Sequence, residues 1–222
     1  MLLCNAGIMA TPMGLTADGY EVQFGTNFLG HALLIKLLLP TLLHTAGASP
    51  SAAATGTPAQ GTGDARVVIL TSQGFAMHPS GGIQFAQLRT PMSFAVLGPW
   101  QRYGQSKLAG ILFARALAAH HPQLSAVSVH PGVVYTGLVE GLGLLNRVFV
   151  KVTTIRNTVS VEEGSYNSCW AATTEQNKLV NGEYYEPVGK PGNHIRESKN
   201  DALAQELWDW TESELKGYSL DE

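Results

Sequence analysis

The chain alternates short aliphatic or β-branched runs with longer stretches whose apolar residues recur every three to four positions. Met1-Leu2-Leu3-Cys4 is an apolar run that stops at Asn5-Ala6-Gly7, the pattern of a buried strand ending in a turn. Thr16 then offers an N-cap with Asp18 in the first turn. Tyr20, Phe24, Phe28, Leu29, Leu33 and Leu37 keep helical spacing from there to about Leu43. Arg66 to Thr71 predicts a strand that ends at Ser72, Gln101 to His120 a long helix stopped by Pro122, and Ala126 to His130 a strand running into Pro131-Gly132. A helix from about Val161 to Thr174, a strand around Gly182 to Glu186 and a helix from Asp201 to Leu215 continue the alternation. This order predicts right-handed crossovers and an α/β, Rossmann-like doubly wound parallel sheet in one domain over 1–222. Its ligands would sit off the carboxyl ends of the strands, where Asn5, Ser72 and Pro131 all fall.

Two stretches break the pattern. Residues 45–64 are almost entirely Ala, Gly, Ser, Thr and Pro, too poor in large apolar groups to offset their own ordering entropy, and predict a flexible surface insertion. Between Gly137 and Ser160, the glycine-broken run Leu138 to Leu145 is a candidate lid over the ligand edge. Trp208 and Trp210 lie two apart and cannot share one helix face, so at least one is expected to meet solvent, a loop or another subunit.

Composition narrows the function classes. With 222 residues, 45% hydrophobic and 14% charged, the chain can bury one substantial core. A net charge of -3 with 14 scattered Lys and Arg supplies no basic field for nucleic acid. Cys4 and Cys169 cannot build a disulfide framework, and His31, His78, His120 and His121 show no metal spacing, so no metal site is expected. The longest apolar stretch, Ala32 to Leu43, is interrupted by Lys36 and Pro40 and falls short of the ~20 residues of a membrane span. A soluble, cytoplasmic protein is the expectation.

The candidate chemistry sits in Tyr103-Gly104-Gln105-Ser106-Lys107. Residues four apart share one helix face, so the Lys107 ammonium can approach the Tyr103 phenol. A phenol titrates near ~10, and a nearby fixed cation stabilises its phenolate, which predicts an acidic tyrosine able to trade protons with an alcohol or ketone. Taken singly, each motif has a plainer explanation: an exposed helix face for Tyr103 and Lys107, a polar residue bonded to its own helix for Asn27, a strand-terminating cap for Ser72. Their joint occurrence in one order is what favours a catalytic reading.

That order resembles the short-chain dehydrogenase/reductases. The resemblance rests on Asn5-Ala6-Gly7 after a strand, Gly25-Thr26-Asn27 in the next helix, Thr71-Ser72 at a strand end, Tyr103 with Lys107, and Pro131-Gly132 with Thr136. The runs Asp18 to Asn27 and Tyr103 to Ala109 are similar to the branch containing retinol dehydrogenases and the WW-domain-containing oxidoreductases. The resemblance implies an oxidoreductase that interconverts an alcohol and a carbonyl, with a small, fairly apolar substrate met by Met77, Ile83, Phe85, Phe94 and the Leu138 to Leu145 run. Tyr103 would give or take the substrate proton, Ser72 would bond the substrate oxygen, and Lys107 would hold the nicotinamide ribose. Asn27 would hold a water linking Lys107 to solvent. Asn5, Gly7, Asn27, Tyr103, Lys107, Pro131, Gly132, Val134 and Thr136 would meet the cofactor, NADP by resemblance to the branch with NAD left open.

One departure qualifies the resemblance. The family pattern begins with a strand and a Thr-Gly-x-x-x-Gly-x-Gly turn that grips the pyrophosphate, and nothing before Asn5 could do so here. The fold is therefore expected to be N-terminally truncated, with Leu2 to Cys4 an exposed apolar parallel edge needing cover from a missing segment, a second copy or a partner chain. The alternative to an enzyme is a catalytically impaired remnant that acts as a binding or regulatory subunit.

Overall fold

The computed structural model describes residues 1–47, 64–134, 139, 141–154 and 158–219. The predicted insertion at 45–64 lies almost wholly outside the described residues, as does Thr136.

Three strands pair in parallel at one side of the main sheet: β1 (Leu2–Cys4), β2 (Arg66–Leu70) and β3 (Ser125–Val129). Leu2 pairs with Val67 and Cys4 with Ile69; Val67 pairs with Ala126 and Leu70 with Val129. A separate short ladder joins β4 (Val133–Val134) to β5 (Thr158–Val159). Beyond β3 the main sheet continues with β6 (Tyr184–Glu186), parallel, and β7 (Lys190–Pro191), antiparallel, in the order β1-β2-β3-β6-β7. Every residue of β3 is buried, and so are the first four of β2, which is why both read as continuous apolar runs rather than alternating ones.

The helices cover both faces. On one side lie α1 (Val22–Thr45), α2 (Gly98–His120) and, at the chain's far end, α5 (Asp201–Glu214); they enclose Cys4, Val67, Ile69 and Ala126 in the main core. On the other, α4 (Val161–Thr173) packs Ala171 and Trp170 on Val68, Val127, Val129 and Tyr185. Between β4 and β5 stands α3 (Leu144–Thr154). Burial of a Val, Leu or Ile side chain is worth about 1.5–3 kcal/mol, so the two cores together fix which face each strand presents. Both tryptophans of α5 are used inside the fold: Trp208 stacks on Phe113 and His120, and Trp210 meets Phe24 and Phe85.

Three expectations need correction. α1 begins at Val22, with Glu21 as its cap, rather than near Thr16; the Thr16 hydroxyl instead accepts the Tyr20 N–H at 3.2 Å and closes a separate turn. Because that helix runs unbroken through a π-helical turn at Gly25–Leu29, it spans 24 residues and is long and apolar enough, by length and composition, to cross a membrane. Here one face of it packs on α2 and α5, through Phe28 on Phe113 and Phe24 on Trp210. Ile83, Phe85 and Phe94 belong to the main core and do not surround Tyr103, whereas Met77 does. As expected, β1 is an outer strand of the sheet, with Leu3 40% exposed.

Candidate active site

α2 delivers the central pair because its small residues let it lie close to the sheet. A Cβ on Gly110 would stand 3.2 Å from Ile69, and one on Gly104 would stand 2.7–2.8 Å from backbone atoms of Met77, His78 and Gly74. Those last three belong to the turn that follows β2, so Gly104 is what lets Tyr103 reach it. Ser72 opens this turn; its hydroxyl accepts the Gly74 N–H at 3.1 Å and bonds with the Tyr103 phenol. A Cβ on Gly74 would come within 2.9 Å of the Tyr103 ring. Tyr103 and Ser72 are thereby held together by two glycines on facing segments.

Lys107 lies one turn further along α2. Its ammonium donates to the Leu70 carbonyl at 3.1 Å, and the Thr71 hydroxyl donates to the Lys107 carbonyl at 2.8 Å, pinning this turn of helix to the end of β2. The ammonium stands 5.8 Å from the Tyr103 ring centre. Gly7, just beyond β1, approaches the same point: a Cβ there would meet Asn27 Oδ1 at 3.0 Å and Lys107 Nζ at 3.4 Å.

Asn27 sits in the π-helical turn, a distortion frequent at functional sites. Its side chain accepts the Ile8 N–H at 2.7 Å and donates to the Ile8 carbonyl and the Ser106 hydroxyl, both at 2.9 Å. The amide thus braces the turn after β1 against α2, with Ser106 passing the bond on to the Tyr103 carbonyl at 2.8 Å. Asn5, Pro131, Gly132 and Val134 follow the carboxyl ends of β1 and β3. Gly132 has a left-handed φ of 91°, and Val134 packs against Gly164 of α4.

The electrostatics run opposite to the acidic phenol expected from spacing. Burial raises the Tyr103 pKa, and the bond with Ser72 brings it only part of the way back. Burial also lowers Lys107 to about 8. Both groups lie in the same low-dielectric wall, so each is driven toward its neutral form, and Tyr103 is held as a phenol. Around it stand Ala10, Trp100, Val139, Leu142 and Val150, with Met9, Met77 and Phe149 at the margin.

A second buried pair supports the wall. Arg102 and Glu21 are 1% and 0% exposed and 3.2 Å apart. The Arg102 guanidinium also donates to the carbonyls of Met92 at 3.1 Å and Thr11 at 2.9 Å, while Glu21 caps α1 through the Phe24 N–H at 2.7 Å. One ion pair therefore joins the start of α1, the loop after β1 and the loop before α2 beside Tyr103. Ala10, Met92 and Leu97 all take left-handed φ values in these loops, a strain that concentrates near the site. Sequence reasoning missed Arg102, Glu21, Gly74 and Gly104. Only Gly104 carried a signal, since a glycine inside a helix costs about 1 kcal/mol against alanine and needs a packing reason.

The structure brings Tyr103, Lys107, Ser72, Asn27 and Gly7 to one carboxyl rim. No protein-family model matches the chain. A short-chain dehydrogenase/reductase of Aspergillus calidoustus, drtF, is 34% identical over 229 aligned positions, covering 99% of this chain and 69% of that protein. This chain belongs to the short-chain dehydrogenase/reductase family. Mouse retinol dehydrogenase 11 is 31% identical over 229 positions, covering 100% of this chain and 62% of its own length, in keeping with the branch read from the motifs. Among solved structures, an uncharacterised protein of Mycobacterium paratuberculosis superposes with a TM-score of 0.65 at 29% identity, over 97% of this chain and 66% of that one. The chain spans between 58% and 69% of the length of the curated relatives it matches.

Proposed function

We propose that this short-chain dehydrogenase/reductase chain interconverts an alcohol and its carbonyl on a fairly apolar small molecule, with NADP(H) as the hydride carrier and NAD(H) the second candidate. The observation that carries the proposal is the Tyr103 phenol bonded to Ser72 in an apolar cluster, one helical turn from a lysine whose ammonium faces the strand ends. In the reducing direction Tyr103, kept protonated by burial, donates its proton to the carbonyl oxygen while the Ser72 hydroxyl bonds that oxygen. In the oxidising direction the same proton returns to Tyr103.

The residues present fit the ribose end of a nicotinamide nucleotide. Lys107 spends one N–H on Leu70 and keeps two for vicinal hydroxyls, and Gly7 leaves open the space beside it that a Cβ would fill. Bound nicotinamide supplies the hydride; the proton is handled by the chain's own side chains. Asn5, Gly132 and Val134 border the same rim with backbone groups, and the family pattern gives Thr136 a place beside them. Asn27 keeps Gly7 and Lys107 in register. Val139, Leu142 and Val150 exclude water from Tyr103 and favour an apolar substrate. A relative named for retinol, itself an apolar alcohol, points the same way. The free thiols Cys4 and Cys169 fit a reducing compartment, and we place the protein in the cytoplasm.

A second reading rests on the sequence: its one Thr-Gly-x-x-x-Gly-x-Gly string, Thr136 to Gly143, comes after Pro131-Gly132, not ahead of Asn5-Ala6-Gly7 where the family pattern has its pyrophosphate turn. Without one the nucleotide forgoes several charge-assisted bonds of roughly 1.5–3 kcal/mol each. On that reading this stretch is a weakly binding regulatory unit, unless a further segment or partner chain pairs with the open edge of β1 and completes the cradle. Titrating NADPH and NADH by nucleotide fluorescence, followed by reduction of a long-chain aldehyde, decides between them. The oxidoreductase proposal expects saturable binding and turnover; binding without turnover favours the regulatory unit, and the absence of both overturns the proposal.

A further inference from the structure

α3 carries large aliphatic side chains on its outer face. Leu144, Val148 and Val152 are 76%, 51% and 69% exposed, and their four-residue spacing sets them in one stripe. The inner face of the helix is already engaged: Asn146 accepts the Trp100 indole N–H at 3.1 Å, Phe149 lies against the Trp100 ring, and Val150 joins the cluster around Tyr103. The outer stripe therefore contributes nothing to holding α3 in place, and a helix that merely faced water would be polar there. Arg147 and Lys151 are exposed on the flank of the stripe, one turn apart. Leu144–Thr154 contains no Asp or Glu, although the chain as a whole carries a net charge of -3. One turn ahead of Trp100, Val96 and Leu97 add two more exposed aliphatic side chains, 68% and 49%.

We propose that the outer face of α3, together with the Val96-Leu97 turn, docks on the surface of an anionic lipid bilayer. Aliphatic side chains in a stripe with cations along one flank match the boundary between acyl chains and phosphates, where the first sink and the second reach headgroups. Each surface cation gains from an anionic leaflet, and no carboxylate on α3 opposes it. A second copy is a poorer occupant, because a two-fold contact would bring Arg147 and Lys151 of one chain against the same pair of the other. The inner side of α3 borders Tyr103, so docking would set the mouth of the candidate site against the phase in which an apolar alcohol is concentrated. That consequence rests on the oxidoreductase reading; the docking itself does not.

The test is co-sedimentation of the chain with vesicles of phosphatidylcholine alone and of equal parts phosphatidylcholine and phosphatidylserine, read without nucleotide or turnover. Binding to the anionic vesicles is expected, at least about tenfold weaker on phosphatidylcholine or in high salt. Reversing both cations, Arg147→Glu with Lys151→Glu, should lower anionic binding about tenfold or more, and Leu144→Ser with Val148→Ser and Val152→Ser should abolish it. Both variants should keep the parent's unfolding transition, since the changed side chains are exposed. The proposal is overturned if the parent chain ignores the vesicles or if the variants bind as well as the parent. It is overturned equally if the serine variant proves to have dissolved a dimer instead, or if an acidic protein rather than lipid proves to need Arg147 and Lys151. Vesicle binding by a chain that shows no turnover in the separate nucleotide and aldehyde assay would count against the oxidoreductase reading alone.

Discussion

The wall that carries Tyr103 and the rim formed by α3 border the same apolar cluster but are built in opposite ways. In the wall, buried polar side chains are bonded to backbone: Lys107 to Leu70, Asn27 to Ile8, Arg102 to Met92 and Thr11. Each bond ties one segment to another, so the positions of Tyr103 and Ser72 are fixed several times over. The rim is joined to the wall by a side-chain-to-side-chain bond, from Trp100 to Asn146, and carries aliphatic residues on the outside. Chemistry that depends on distances of a few tenths of an ångström sits on the first kind of structure, and recognition that tolerates sliding suits the second.

Damage to the wall should therefore be far costlier than damage to the rim. The largest effect is expected from Arg102→Met, which strands Glu21 in the interior; about 3–5 kcal/mol of unfolding free energy should disappear in urea titration. Adding Glu21→Leu should recover much of it, and a single variant within 1 kcal/mol of the parent would show that the pair does not brace the wall. Gly104→Ala comes next, at about 3 kcal/mol, because its methyl group would press on backbone that cannot turn aside.

Lys107→Met sharpens the contrast, because here function and stability oppose each other. The folded pKa of about 8 lies below the ordinary value of 10.5, so at neutral pH the fold bears the cost of a charged group in a dry place. The unfolded chain holds more protons than the folded one between those two values, and stability therefore rises as pH climbs through that window. The methionine variant should be more stable than the parent by about 3 kcal/mol below pH 8, with the advantage gone above about pH 10.5. Nucleotide binding should fall at the same time. A variant that is less stable at pH 7 would mean that the bond to Leu70 outweighs the burial of the charge. At the bottom of the scale, Val148→Ser on the rim should leave the unfolding midpoint unchanged, within about 0.5 kcal/mol.

Much of this was legible before any coordinates. The parallel order of strands followed from runs such as Arg66 to Thr71 and Ala126 to His130, and the four-residue spacing of Tyr103 and Lys107 placed both on one helix face. Ser72 and Gly7 were placed by falling just after strands. What spacing could not reveal was everything set by segments distant in the chain. The Glu21–Arg102 pair exists only because α1 and α2 cross, and Gly74 matters only because Tyr103 comes down upon it. The direction of the Tyr103 shift failed for the same reason: a neighbouring ammonium can be read from sequence, but the burial that outweighs it is a property of the packed fold. Thr16 misled because a threonine that closes a turn and one that caps a helix use the same hydroxyl in the same way.

The most direct measurement is carbonyl reduction by Tyr103→Phe beside the parent chain, with nucleotide affinity measured on both. The phenyl ring keeps the packing among Trp100, Gly74 and Val150 while removing the proton, so kcat should fall by at least about a thousandfold with nucleotide Kd changed less than about twofold. Turnover within tenfold of the parent would contradict the assignment of Tyr103 as the group that moves the proton.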